Sequence, residues 1–532
     1  METEMTGKRP RRKKGTRRLK KWHKWVGLVF TFFLLMFAVS GIFLNHRGTF
    51  ASCDIPRRLL PPGYRYDNWN NGSVRGTFPL TADSLLVYGN NGIWLTDTLH
   101  RSFAPYGEGM KRGADNNSVT NIVRTSDGNV FAATTFDLYR YIPSRHAWQH
   151  VEELDAGERL SDIDADDSGR LAVMGRSHIF IAEAPYTDFE KIELPAPEGY
   201  DNSTTWFRII WTLHSGELFG IPGRLFIDLI GVLTIVLCIT GIVLLICPGI
   251  IRRRNKRNRS TKRSVSLMRG SMTWHNKAGS WFLFFLLLIA VTGMCLRPPL
   301  MLAVVRGKTA PPPGSALDSP NPWHDKFRAL RYDRYTHDWL LYASGGFYTI
   351  GDFTDTPVRL AGAPPVSVMG VNVLHQQDST QWMVGSFSGL YRWNRSEGRS
   401  YDAFTSEEYV RRGGMPVFGH AVSGYSDDFA DGPFAFEYSK GARSLHGDAD
   451  FAVMPEDFAD GRMSLWHLSL EVHVGRIYAN LFGSIISNLW VFLSGTLFIV
   501  ILLTGYILYR RTFRKNKKRS GKRTGTTGSG GA

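Results

Sequence analysis

The chain has 532 residues, of which 64 are Lys or Arg and 47 are Asp or Glu, so its formal net charge is +17. The basic residues are concentrated in three short blocks, each beside a long apolar run, and the rest of the chain is net acidic. This pattern is typical of the cytoplasmic flanks of membrane helices and argues against a nucleic acid as partner. The blocks are residues 1–24, 252–269 and 510–532, with 11, 9 and 9 Lys or Arg.

Four apolar runs are long enough to cross a lipid bilayer as helices. The first is longer than the hydrophobic region of a signal peptide, so we interpret it as an anchor. Because Lys and Arg favour the cytoplasmic side, both termini and the loop between the second and third runs are predicted to be cytoplasmic, and two large segments to be exported. The runs are residues 25–44, 225–247, 278–296 and 489–509.

The predicted parts follow from these runs and alternate between membrane helices and exported segments. They are a cytoplasmic basic tail (1–24), a first transmembrane helix (25–46), a β-rich segment (47–210), an outer helix with the second transmembrane helix (211–247), a cytoplasmic basic loop (248–277), a third transmembrane helix (278–297), a second β-rich segment (298–465), an outer helix with the fourth transmembrane helix (466–509) and a cytoplasmic basic tail (510–532).

The apolar runs repeat one another. In the first and third, a Trp-His pair is followed four residues after the His by Gly and seventeen residues after it by a small residue and Gly. The second and fourth share a looser pattern of His, Gly and Thr-Gly. The membrane part is therefore predicted to be two pseudo-symmetric helix pairs, related by an axis along the membrane normal. The matching residues are His23, Gly27, Ser40 and Gly41 with His275, Gly279, Thr292 and Gly293, and His214, Gly216, Thr240 and Gly241 with His473, Gly475, Thr504 and Gly505.

Histidines lie at matching places in both copies. His23 and His275 begin helices on the cytoplasmic side, whereas His214 and His473 precede helices that enter from outside. Two neutral imidazoles from facing helices make a six-coordinate haem iron site suited to electron transfer. The pattern therefore predicts two haem sites, one at each level, although a single His beside Trp and Lys at a membrane boundary is commonly an interfacial anchor.

The ligands at the outer level have alternatives. His473 and its counterpart lie too far from the Thr-Gly pairs for one straight helix across the bilayer, so a break is expected, and Pro222-Gly223 is a candidate. His46, just after the first run, and His467, six residues before His473, are competing ligands. His46 has no counterpart in the third run, so symmetry ranks it lower.

The segments around these histidines resemble the PepSY-associated transmembrane helix family, over all four helices and their flanks. The resemblance implies a protein of the bacterial inner membrane with two haems b, similar to siderophore reductases that deliver electrons to ferric chelates in the periplasm. It implies haem ligation by His23 and His275 at the inner level, and by His214 with His473 or His46 at the outer level. The residues that carry it are Trp-His-Lys-Trp-Val-Gly at 22–27, Ser-Gly-Ile-Phe-Leu-Asn-His at 40–46, Leu-His-Ser-Gly-Glu-Leu-Phe-Gly at 213–220, Thr-Gly at 240–241, Trp-His at 274–275 and Trp-His through Gly at 466–475.

The exported segments contain no recognisable PepSY module and repeat a different motif, an apolar strand, a turn and an aromatic residue. It occurs at 85–94, 130–139, 171–180, 339–348 and 381–391, with steps of 41 to 45 residues within a segment. Short strands with Gly turns at this period resemble β-propeller blades, although unrelated hairpins are an alternative. We expect one propeller-like domain built from both segments. Residues 400–465 do not follow the repeat and are interpreted as a lid or a lateral insertion.

The predicted fold class is thus a membrane α + β protein with four transmembrane helices and a periplasmic β-rich domain. The expected function is that of a haem b reductase which passes electrons to a ferric siderophore, another ferric chelate or a periplasmic redox partner. Since the cytoplasmic parts are too short for a flavin domain, electrons would come from quinol or a separate cytoplasmic reductase. The alternative is a non-enzymatic sensor or scaffold whose β-domain binds a protein or polymer.

The charge pattern predicts where fused reporters are active. A reporter inserted near Asn117 or Glu397 should be active only outside the cytoplasm, and one at Asn258 only inside it, because Lys and Arg hold their flanks on the cytoplasmic side. Alkaline phosphatase and fluorescent-protein fusions at the three positions measure this. Cytoplasmic activity at Glu397 would contradict the four-helix topology.

Overall fold

The structure is a computed structural model that describes residues 11–410, 420–447 and 449–512. The ends of the two basic tails, residues 1–10 and 513–532, lie outside the described residues. The chain divides into two compact units. The helical unit comprises Met1–Arg47, Ser203–Asp318 and Leu468–Ala532, and the β-rich unit comprises Gly48–Asn202 and Ser319–His467.

The helices of the described chain include long apolar helices and short connecting ones. They are α1 (Arg11–Asn45), α2 (Trp206–Ser215), α3 (Gly220–Lys256), α4 (Lys262–Trp281), α5 (Leu283–Cys295), α6 (Met301–Val304), α7 (Glu456–Ala459), α8 (Leu465–His473) and α9 (Ala479–Thr512).

Among the described residues, three helical stretches are long and apolar enough to cross a membrane: Gly15–Asn45, Glu217–Lys256 and Leu481–Arg511. The third predicted run is divided between α4 and α5, which pass the same test only as a pair and are bent by 64°. This differs from the single helix expected there. Gly279-Ser280 lies just before the bend, and Gly/Ser pairs are a common cause of sharp kinks.

The second and fourth apolar helices are each preceded by a short helix that stops at a glycine. Gly216 is the first residue after α2, and Gly475 is the second residue after α8. Their φ angles are 83° and 78°. This left-handed backbone favours glycine, and a short 3-10 turn follows in both copies. The break therefore lies at Gly216 and not at Pro222-Gly223. Pro222 falls in the first turn of α3, where a missing N–H is tolerated.

The strands of the first β-rich segment are mostly four to six residues long. They are β1 (Asp54–Pro56), β2 (Gly76–Pro79), β3 (Ser84–Gly89), β4 (Gly92–Asp97), β5 (Ala104–Pro105), β6 (Val119–Arg124), β7 (Val130–Thr134), β8 (Leu138–Ile142), β9 (Ala147–His150), β10 (Asp162–Ala165), β11 (Leu171–Met174), β12 (Ile179–Ala182) and β13 (Glu190–Ile192).

The later strands begin with a two-residue pair in the helical unit, and the others belong to the β-rich unit. They are β14 (Thr204–Thr205), β15 (Lys308–Thr309), β16 (Phe327–Asp333), β17 (Asp338–Ala343), β18 (Gly346–Ile350), β19 (Val358–Arg359), β20 (Val373–Gln376), β21 (Gln381–Ser386), β22 (Gly389–Asn394), β23 (Arg399–Asp402), β24 (Val422–Ser426), β25 (Phe434–Glu437), β26 (Gly441–Ser444) and β27 (Arg462–Ser464).

The β-rich unit is made of several small antiparallel sheets whose strands follow chain order. Five are four-stranded, β2–β5, β6–β9, β10–β13, β16–β19 and β20–β23, and one is three-stranded, β24–β26. The first strand of each sheet contacts the first strand of the next, and β24 contacts β2. The start and end of the unit are joined separately by β1 and β27, which pair Asp54 with Ser464.

Hydrophobic clusters fill the spaces between consecutive sheets. One packs Phe327 and Trp339 against Met174, and so joins the last sheet of the first segment to the first sheet of the second. Another packs Phe434 against Leu85 and joins the last sheet to the first. Both segments therefore contribute to one domain, as predicted, because each sheet buries its two faces against its neighbours.

Each of the five repeated sequence motifs is the hairpin of the second and third strands of a four-stranded sheet, which confirms the repeat. The expectation for residues 400–465 was wrong in part, since β24 to β26 form a sheet of the same kind. Its third strand, Gly441–Ser444, lacks the apolar and aromatic residues on which the motif was recognised. Residues 411–419 and 448 of this segment lie outside the described residues.

Replacing Gly216 by Ala should destabilise the helical unit more than the same change at Gly314. Both glycines have positive φ, 83° and 69°, so both changes incur the left-handed backbone cost of about 1 to 2 kcal/mol. A Cβ at Gly216 would also lie 2.5 Å from the carbonyl carbon of Gly223, whereas nothing lies within 4 Å of one at Gly314. Thermal unfolding in detergent compares the two variants. Equal shifts in Tm would contradict the close contact at Gly216.

Candidate functional site

The helical unit brings four of the predicted histidines together in two pairs. His23 of α1 and His275 of α4 interact electrostatically, and we name them the first pair. His214 of α2 and His473 of α8 are named the second pair, and their ring centroids are 6.2 Å apart with an interplanar angle of 63°. All four side chains are partly buried. These are the pairings predicted from the sequence symmetry.

The second pair depends on the short helices that end at Gly216 and Gly475. Each glycine lies two residues after its histidine, so the left-handed backbone reverses the chain immediately beyond the ring. The histidine thereby stands at the end of a short helix that packs back onto the bundle, and not inside a long membrane helix. The contact of α2 with α5 fixes His214 in this way.

Every histidine of the two pairs is held by a hydroxyl and a glycine from another helix. The Nδ1 atom lies 3.0 to 3.1 Å from the hydroxyl oxygen, and a Cβ added to the following glycine would come within 3.0 to 3.6 Å of the ring Cε1. A larger residue than glycine at Gly41, Gly293 or Gly505 would therefore press on the imidazole, whereas a Cβ at Gly241 would make an ordinary contact at 3.6 Å. The four contacts are His23 with Thr504-Gly505, His275 with Thr240-Gly241, His214 with Thr292-Gly293 and His473 with Ser40-Gly41.

The hydroxyl groups determine which ring nitrogen carries the proton. Each hydroxyl donates its single hydrogen to a carbonyl one turn earlier in its own helix, as Thr292 Oγ1 does to Leu288 O at 2.8 Å. The same bond is made by Ser40, Thr240 and Thr504. The hydroxyl oxygen is then left to accept from Nδ1–H of the histidine. The Nε2 lone pair of each imidazole is thereby free to bind a metal, which is the usual role of such a supporting bond.

The two pairs lie at different levels of the bundle. Helix α1 carries His23 of the first pair, and seventeen residues later Ser40-Gly41, which holds His473 of the second. At 1.5 Å per residue, this spacing is about 26 Å along the helix axis. That is most of the roughly 30 Å thickness of a hydrocarbon core.

The structure pairs His46 with a carboxylate. Its Nε2 atom lies 2.7 Å from Oδ2 of Asp228, and Asn45 donates to Oδ1 of the same carboxylate at 3.0 Å. The nitrogen that would bind iron is thus occupied by a carboxylate. His467 lies within α8, six residues from His473, and its backbone N–H donates to Ser464 Oγ.

Sequence reasoning identified the histidines but missed the function of the small residues. The Ser/Thr-Gly pairs entered the sequence analysis only as members of the repeat. The available signal was that Ser40-Gly41 and Thr292-Gly293 both lie seventeen residues after a histidine, and that all four pairs carry a hydroxyl, which packing alone does not require.

The β-rich unit has its own concave site, a polar cavity of 290 Å³ lined by the first strands of its sheets. Burial raises the pKa of Asp164 in its wall. His375 lies 3.0 Å from Asp427 and lowers the pKa of that carboxyl, although burial acts in the opposite direction. A cavity with charges of both signs suits a small polar ligand or a polar loop of a partner.

No curated protein matches the chain. Solved structures with partial similarity include two extracellular domains from B. thetaiotaomicron, described with the hybrid two-component systems BT4673 (12% identity, 68% of this chain and 38% of that chain, TM-score 0.23) and BT3049 (9%, 72% and 33%, 0.22). A third is PorZ, a surface component of the type-IX secretion system of Porphyromonas gingivalis (8%, 67% and 43%, 0.20). The chain spans less than half the length of each.

Family comparison gives a broader match, which includes all the histidines discussed above. The model of the PepSY-associated TM region matches residues 5–247 and 143–512. The chain belongs to the PepSY-associated TM family.

Proposed function

We propose that the helical unit binds one haem b at each histidine pair and passes electrons across the bacterial inner membrane. The acceptor is a ferric siderophore or another ferric chelate in the periplasm, and the donor is quinol or a separate cytoplasmic reductase. The observation that carries the proposal is the second pair, in which two imidazoles from different helices stand 6.2 Å apart with both Nδ1 atoms bound to hydroxyls.

The second pair fits a haem in its spacing. His214 and His473 would hold a haem iron between their rings, whose centroids are 6.2 Å apart. This separation leaves room for two metal–imidazole bonds of about 2 Å each. The bound haem would supply one-electron exchange, and each histidine pair would supply two ligands to its iron.

The protein residues contribute orientation. The hydroxyls of Thr292 and Ser40 hold the Nδ1–H of His214 and His473, so that each ring keeps one tautomer and one direction. The glycines beside them allow the rings to approach the neighbouring helix. Electron transfer needs no acid, base or nucleophile from the protein. The contribution of the chain is therefore to bind and orient the cofactor through these contacts.

We further infer that the β-rich unit is a six-bladed β-propeller. Its sheets are small antiparallel meanders, their first strands contact one another in order, and the last sheet contacts the first. In the proposed reductase this domain recognises the acceptor. The polar cavity lined by Arg331, Asp164 and His375 also favours a second candidate, a non-enzymatic sensor that binds a ligand there. Haem content separates the two functions.

Purified chain should contain two haems b, and histidine variants should lose them one at a time. His23→Ala or His275→Ala should remove the haem of the first pair and retain the other, because the pairs share no ligand. His214→Ala or His473→Ala should do the reverse. The measurements are the dithionite-reduced absorption spectrum and the haem-to-protein ratio.

His46→Ala is the matched control, since this histidine is bound to Asp228. It should retain both haems. Loss of a haem in His46→Ala with full content in His473→Ala would exchange their roles. A wild-type chain without haem would favour the sensor.

Dithionite-reduced protein should be reoxidised when a ferric siderophore is added. His214→Ala should slow this step strongly even though the first haem is still reducible, because the second pair lies at the level proposed to face the acceptor. Stopped-flow absorption measures the rate, and His46→Ala again serves as the control. Protein that binds haem yet stays reduced with a panel of ferric chelates would exclude ferric-chelate reduction and leave a protein acceptor.

A further inference from the structure

Two arginines lie close in the chain to residues of the second pair and its contacts. Arg297 comes four residues after Gly293, which contacts His214, and Arg476 comes three residues after His473. The two cations are near enough to interact electrostatically. Like charges at short range are unfavourable unless an anion compensates them.

Arg476 already has a partner within the helical unit. Its Nε atom donates to both carboxylate oxygens of Glu471, at 3.0 and 2.9 Å, and its Nη2 donates to one of them. Glu471 thus balances one positive charge, and the group of Arg297, Arg476 and Glu471 keeps a net charge of about +1.

Arg297 has a donor that this group does not satisfy. Its Nε atom is buried and has no hydrogen-bond partner among the described residues. A buried N–H of a charged group without an acceptor is unfavourable, because the group loses its hydrogen bonds to water and gains none in return. Such a donor points to an acceptor that binds there.

The equivalent position in the other copy carries a neutral amide in place of a cation. Asn45 lies four residues after Gly41, as Arg297 does after Gly293, and it donates to the carboxylate of Asp228. The two copies therefore differ at this position, with an arginine in one and, in the other, an amide that is bonded to an acid. An anionic group bound near Arg297 would be attracted by its positive charge.

We infer that Arg297, together with Arg476, binds a propionate carboxylate of the haem held by His214 and His473. This inference rests on the proposed function and gives the second haem a direction, with a propionate between the end of α5 and the end of α8. A carboxylate matches the guanidinium geometry and supplies the missing acceptor for Nε. Arg297 is a positioning residue, since it does not touch the iron.

The test uses the full-length chain with His23→Ala, which keeps only the second haem, and adds Arg297→Gln, Arg297→Lys or the control Arg306→Gln. Arg306 is an exposed arginine of the same unit. Arg297→Gln should retain haem and shift its midpoint potential to a more negative value, because loss of a cation favours the ferric state. Arg297→Lys should restore part of the shift, and Arg306→Gln should cause none.

A second measurement identifies the anion. Haem and its dimethyl ester are compared in the His23→Ala chain, which keeps only the second site. With Arg297 present this chain should bind the ester about tenfold or more weakly than haem, a preference that Arg297→Gln abolishes. Equal binding of both compounds overturns the inference and leaves the proposed function intact. A change only in binding to phosphate or anionic lipid vesicles also overturns it, since the anion is then a phosphate. A chain that binds neither compound refutes the proposed function as well.

Discussion

The arrangement of the helical unit depends on one hydrogen bond made four times, between the Nδ1–H of a histidine and the hydroxyl of a Ser or Thr on another helix. A hydroxyl in a helix usually satisfies itself by donating to a carbonyl of the preceding turn. Here that bond uses the only hydrogen of the hydroxyl, so the hydroxyl oxygen can act only as an acceptor toward the histidine. The histidine then has one possible tautomer, with its proton on Nδ1, and the Nε2 lone pair can bind a metal.

The glycine after each hydroxyl explains why the bond can form. The imidazole lies close to the position that a Cβ would occupy, so the ring packs directly against the backbone of the neighbouring helix. One helix can therefore serve two sites, as α1 does with His23 near one end and Ser40-Gly41 near the other. The sequence repeat therefore reflects this arrangement. Each helix pair provides two histidines, and it also provides the Ser/Thr-Gly residues that contact the histidines of the other pair.

Much of this could be predicted from the sequence. The apolar runs, the two copies and the pairing of His23 with His275 follow from spacing alone, and the five hairpins of the β-rich unit follow from the apolar-aromatic motif. The bend between α4 and α5 could not be predicted, because Gly279-Ser280 is compatible with a straight helix. The sheet β24–β26 was missed since its third strand, Gly441–Ser444, has no aromatic residue. The engagement of His46 by Asp228 depends on two helices meeting, which no local pattern reveals.

The division of the β-rich unit into two chain segments affects how it is made. Its first three sheets end at Ile192, and the strand that packs against the first of them, β25, is complete only at Glu437. At about 5 to 20 residues per second, synthesis of the intervening chain takes roughly 12 to 50 s. Throughout that interval the sheet face with Leu85 lacks the strand that packs against it, and the face with Met174 has no partner sheet until β16 to β18 are made. An unfinished domain of this kind is prone to aggregate, so the nascent first segment is a natural substrate for a chaperone.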